Sequence, residues 1–152
     1  MRLGQLAAAP KPHGRSDPDP GSEERWDAGQ VWAHLAEFPP YWLAQAERII
    51  EAPPDQPARI GRATSAPERV EPIEAGRDRP VAESWAACRL GIERVRAFAL
   101  EASESDWARQ GEHPVRGPVT AGFVLEAFVG GHLLEHAEQL ERLATKSGSM
   151  QA

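Results

Sequence analysis

The chain has one cysteine, Cys88, two lysines and no long apolar run. A single thiol excludes an internal disulfide framework and a cysteine-based zinc site, and it suits a reducing compartment. Aromatic residues make up only 7% of the chain while 14 prolines and 13 glycines are present, so part of the 152 residues adds little to a core. The length still allows one domain with one core. With a formal net charge of −6 and acids spread along the chain, no basic face offers itself to phosphates. Nucleic acid and an anionic membrane are therefore excluded as expected partners. The longest apolar stretch, Ala121 to Leu134, is too short to span a bilayer and contains Glu126 and His132. MRLGQLAAAP, at the N-terminus, is too poor in apolar residues for a secretory signal. A soluble, cytoplasmic protein is expected.

Residues 10–25, PKPHGRSDPDPGSEER, have almost no apolar side chain with which to offset their ordering entropy, and read as a loop or flexible lead-in. The weakly apolar residues before them, Leu3, Leu6 and Ala7 to Ala9, read as a short helix or the end of a longer one, marginal on their own. Asp27 followed by Gln30 has the spacing of a capping box, and Val31, Leu35, Phe38, Trp42, Ala46 and Ile49 then recur at helical intervals, predicting a helix from Asp27 to Glu51. Pro39 and Pro40 predict a kink or break near Phe38. Residues 52–79 carry no sustained periodicity and read as a long connection. Trp85, Cys88, Ile92, Val95 and Ala99 mark the stripe of a helix from Pro80 to Ala102. After a run of turn residues, a last helix is predicted from Thr120 to Ala144, ahead of Lys146 and Gly148. Neither β alternation nor an internal repeat is evident, so the class is all-α. The domains read as 1–25, helix stub and flexible lead-in; 26–146, helical bundle; and 147–152, disordered tail.

Within the last helix, GHLLEHAEQL places His132 and His136 four residues apart, roughly 40° around the helix, on the face that carries Leu125, Phe128, Val129, Leu140 and Leu143. A buried imidazole needs partners for both ring nitrogens, and leaving one unsatisfied costs on the order of 1–3 kcal/mol. A divalent metal satisfies two neighbouring imidazoles at once. His34, in VWAHLAEF at the border of the first long helix's apolar stripe, is the third candidate ligand, brought opposite by antiparallel packing. Three histidines with open coordination positions fit a catalytic rather than a closed structural site. The competing account, in which each ring bonds to the backbone and fills space, holds best for a lone histidine. His13 and His113 receive no role. HLLEH also matches the inverted zinc-protease pattern, but only sixteen residues follow His136, too few for the acidic ligand that chemistry needs.

Three segments together, RWDAGQVWAHLAEF, DWARQGEHPVRGPVT and FVGGHLLEHAEQL, resemble the DinB-like superfamily, the DinB/YfiT-like metalloenzymes. The resemblance covers roughly residues 26–144. It rests on a histidine early in one helix, the G-x-H-P-x-x-G turn from Gly111 to Gly117, and H-x-x-x-H followed by Gln139 and Leu140. It implies an up-down-down-up four-helix bundle in which His34, His132 and His136 bind a divalent cation, often zinc or nickel. Relatives include mycothiol-dependent isomerases and transferases and bacillithiol transferases, and dimers are common among them. The resemblance thus implies a low-molecular-weight thiol and an electrophilic substrate as partners, and a homodimer. Departures are the first helix, here short or truncated, and the Pro39–Pro40 pair.

On that footing the metal would bind a thiol sulfur and lower its pKa. Gln139 is placed to bond to a ligand or water; arginines 59, 62, 69, 77 and 79 either hold cofactor carboxylates or lie solvated in their loop. Cys88 lies on a core stripe as a small hydrophobe. The five tryptophans either line a cleft or pack in core and rim. Two alternatives stand beside this reading, a non-catalytic metal-binding stress-response module and a metal-free helical interaction domain.

Overall fold

A computed structural model describes residues 2–19 and 21–149. Seven α-helices follow in chain order among them: α1 (Arg2–Ala8), α2 (Ala28–Glu51), α3 (Pro67–Gly76), α4 (Val81–Glu101), α5 (Glu104–Trp107), α6 (Ala121–Leu125) and α7 (His132–Ser149). A π-helical segment, Glu126–Gly131, joins α6 to α7, and strands β1 (Gln110–His113) and β2 (Gly117–Thr120) form a hairpin. The protein is thus mainly helical, as the periodicity predicts.

α2 is the central rod, with α3, α4, α6 and α7 all packing on it and α1 lying against α4 and α7. Its start is fixed locally. Asp27 accepts a hydrogen bond from the Gln30 N–H while the Gln30 side chain accepts from the Asp27 N–H, both at 3.0 Å. Its apolar stripe then disappears from solvent completely at Val31, Leu35, Phe38, Ala46 and Ile49. Each such side chain contributes ~1.5–3 kcal/mol by leaving water, which outweighs the modest helix propensity of the sequence. Gly29 lets α3 come close: a Cβ there would sit 2.1 Å from the Arg77 carbonyl oxygen.

Of the expected kink or break at Pro39 and Pro40 the break does not occur: α2 runs through both prolines. Both prolines lack an N–H, so two helical hydrogen bonds are missing. Burial compensates: Pro39 is fully buried, and α4 presents Gly91 to the pair so closely that a Cβ at that position would lie 3.0 Å from Pro39.

Three further readings are corrected. The connection 52–79 contains α3, whose weak amphipathicity hides it and whose buried residues are only Ile73 and Gly76. The hairpin pairs Gly111 with Val119, the one buried residue on each four-residue strand, too little alternation to be read as β. α7 continues past Ala144 to Ser149, with the Ser147 hydroxyl accepting from the His13 N–H at 2.8 Å. The remainder of the expected tail, 150–152, lies outside the described residues. The described residues of the lead-in are without helix or strand and fold back on the domain, where Ser16 and Trp26 are buried and the Ser16 N–H donates to the Trp26 carbonyl.

Candidate metal centre

His34 sits on α2, His132 at the first position of α7 and His136 one turn later. Their Nε2 atoms converge: His34 to His132 is 3.0 Å, and His132 to His136 is 3.0 Å. One potential ligand atom from each ring lies within 4.8 Å of the others. His34 and His136 are buried, at 4% and 8% exposure, while the His132 side chain retains 33% and faces the cavity.

Each ring is held from behind by the residue three positions on. His34 Nδ1 lies 2.7 Å from Glu37 Oε1, His132 Nδ1 3.0 Å from Glu135 Oε2, and His136 Nδ1 2.7 Å from Gln139 Oε1. All three partners are oxygens that accept, so the proton of each neutral imidazole belongs on Nδ1. The three Nε2 atoms then carry only lone pairs, aimed at one another. Burial pushes the His34 pKa well below its ordinary value, with His136 and His132 adding to the effect; burial likewise lowers His132 and takes His136 to about 3. A shared proton is therefore disfavoured at neutral pH. Nitrogens that bind one ion at ~2.0–2.1 Å stand about 3 Å apart, and the spacing here fits that donor set. The cluster can hold a metal ion.

Aromatic rings clamp the imidazoles. Trp26 stacks on His136 with centroids 5.8 Å apart and meets His34 edge-on at 5.0 Å, while Phe38 lies 4.9 Å from His132. Behind Glu37, Arg62 donates to both carboxylate oxygens at 2.7 and 2.6 Å and rests over the Tyr41 ring. Burial raises the Glu37 pKa, and Arg62 opposes it. Arg69 pairs with Glu24 at 2.9 Å and lies over Trp26. In front of the imidazoles opens a cavity of about 860 Å³, walled by the lead-in, α2, the hairpin and α7.

The residue pattern of the DinB superfamily matches positions 4–140. The chain belongs to the DinB superfamily. No curated protein matches it. In this DinB-superfamily chain, the three histidines named from the sequence are brought together. Gln139 bonds to the His136 ring through its Oε1. Among the loop arginines, Arg62 and Arg69 line the cavity, whereas Arg77 pairs with Asp27 at 2.6 Å away from it. Cys88 is fully buried and burial pushes its thiol up to about 12, in keeping with a core role. Trp26 and Trp42 line the cavity, but Trp32 and Trp85 pack on each other.

Sequence reasoning missed Glu37, Arg62 as its partner, and His113. Glu37 was findable, because an oxygen-bearing side chain follows each of the three histidines at i+3, the spacing that places two side chains on one helix face. His113 lines the cavity and its Nδ1 accepts from the N–H groups of Val115 and Arg116, so it organises the hairpin turn whose end is set by Gly117 at φ 70°. Among the described residues no helix is long and apolar enough to cross a membrane.

Proposed function

We propose that the protein is a divalent-metal-dependent transferase or isomerase acting on a low-molecular-weight thiol and an electrophilic substrate, with His34, His132 and His136 as the metal ligands. The observation that carries this reading is the convergence of three bare Nε2 atoms on one point, each ring fixed through its Nδ1. Zinc or nickel suits imidazole donors. A bound cation of this kind lowers the pKa of a coordinated thiol and so supplies a thiolate at neutral pH.

The chain's own residues do the rest. Glu37, Glu135 and Gln139 hold the rings in the orientation that keeps the Nε2 lone pairs on the cavity side. Trp26 and Phe38 cover the imidazoles and keep water from all but the His132 side. The cavity is of a size that accommodates a small organic thiol beside a second small molecule. Open space in front of the ligands favours a catalytic over a closed structural site, and over a non-catalytic stress-response module. A metal-free interaction domain would leave three lone pairs facing one another, two of them on buried rings.

The wider reading includes an up-down-down-up four-helix arrangement of α1, α2, α4 and α6–α7, a homodimer and a cytoplasmic location. Its supports are the packing of these rods on α2 and α1, the exposed Leu90 and Leu100 on α4, and a single buried, reduced thiol. The test is metal-dependent conjugation of a thiol to a model electrophile: it should require added zinc or nickel and disappear in His132→Ala with the circular dichroism spectrum unchanged. Conjugation that persists in that variant, or that ignores metal, refutes the proposal.

A further inference from the structure

The hairpin side of the cavity carries groups that take no part in holding the imidazoles. Trp42 and Phe128 lie with ring centroids 4.4 Å apart, and His113 adds to the same wall, 5.3 Å from Phe128 and nearly parallel to Trp42 at 23°. Above them the Arg116 guanidinium stands 5.4 Å from the Phe128 centroid. Beside it, Val115 is 88% exposed, an apolar side chain left in water at the edge of a cavity it lines.

Charge distinguishes Arg116 from the other arginines of this wall. Arg62 is neutralised by Glu37 and Arg69 by Glu24. Among the described residues the Arg116 guanidinium forms neither an ion pair nor a hydrogen bond, and it lies over the faces of Phe128 and Phe123. The acids that line the cavity belong to other segments and each has a partner there: Asp17 has Lys146, Asp19 the Gly21 N–H, Glu24 Arg69, and Glu135 His132. A guanidinium laid on aromatic faces keeps its planar fork of donors free for a carboxylate or similar anion. An aromatic wall next to it stacks a flat ring at little entropic cost.

We infer that the cavity takes a molecule with a flat apolar body and an anionic group, the body against Trp42 and Phe128 and the anion on Arg116. This names the substrate class of the metal site proposed above and rests on that reading. Arg116 is exposed and holds the turn only through its backbone N–H, so its side chain can be replaced without loss of the fold.

The experiment compares 2-naphthoate with 2-naphthamide, two probes of one shape that differ in charge, by calorimetry on the full chain. Metal-loaded and metal-stripped samples are both used, with metal content measured on each. The carboxylate should bind about 10-fold or more tightly than the amide in both, with a preference that weakens as salt is added. Arg116→Gln should bring the two probes within about 2-fold, and Phe128→Ala should weaken both alike. Equal affinities in the unaltered chain, binding of neither probe, or a preference unchanged by Arg116→Gln overturn the inference. A preference seen only with metal also overturns it, since the anion would then sit on the cation. A chain that takes up no metal yet keeps the Arg116-dependent preference supports this anion site and removes the metal reading instead.

Discussion

His34 Nε2 and His132 Nε2 stand 3.0 Å apart although 98 residues separate them in the chain, and each ring is held from behind by the acid three residues further on. The two acids are not equivalent. Glu37 is 12% exposed and bonded to Arg62, whereas Glu135 is 74% exposed. Both hold their rings, but only Glu37 is itself largely buried and braced by a second residue, so it fixes its histidine more firmly. Glu37→Gln should therefore weaken metal binding about 10–100-fold, while Glu135→Gln changes it by less than about 3-fold. Competition against a chelator reads both, and equal losses would show that burial and the Arg62 bond give Glu37 no greater hold on its ring.

The site depends on the start of α2, seven residues before His34. Asp27→Ala removes the cap and the partner of Arg77, and should lower stability by about 1–2 kcal/mol in urea unfolding. Gly29→Ala should cost more, about 2–4 kcal/mol, because the new methyl meets a backbone oxygen that cannot rotate away. If Gly29→Ala is neutral, α2 and α3 do not approach as described.

Stability should fall with acid in the metal-free chain. Burial holds the His136 pKa at about 3 against an ordinary value of 6.5, so the folded state takes up this proton less readily than the unfolded state. A depressed folded value means that the stabilisation is complete above pH 6.5 and is lost as pH falls from there towards 3. For His136 alone the loss reaches about 2 kcal/mol by pH 5. Thermal unfolding of His136→Gln against the unaltered chain between pH 7 and 5 measures it; parallel curves would contradict the burial of this ring.

Cys88 should be silent. With its thiol pushed up to about 12 and no exposed surface, it should resist iodoacetamide until the chain unfolds, and Cys88→Ala should leave thiol transfer unchanged. Rapid alkylation of the folded protein would place the cysteine in the chemistry.

The long helices and the histidine cluster were legible because their signals are local and periodic: the Asp27–Gln30 box, the stripe from Val31 to Ile49, and the i, i+4 pair His132 and His136. The π-helical segment was not. It inserts one extra residue between α6 and α7, turning the two relative to each other by about 100°, and Gly130 and Gly131 alone do not announce it. The tolerance of Pro39 and Pro40 was hidden as well, since it depends on Gly91, which is remote in sequence. The hairpin and α3 bury too few side chains to leave a pattern, and the part played by His113 follows from backbone N–H groups that carry no sequence signature.

Metal stoichiometry tests the central claim most directly. Untagged protein, stripped and then titrated with zinc or nickel, should bind one ion per chain. His34→Ala, His132→Ala and His136→Ala should each weaken that binding at least about 100-fold while remaining helical. An unaltered chain that binds no divalent ion, or variants that bind it as well as the parent does, would contradict the account.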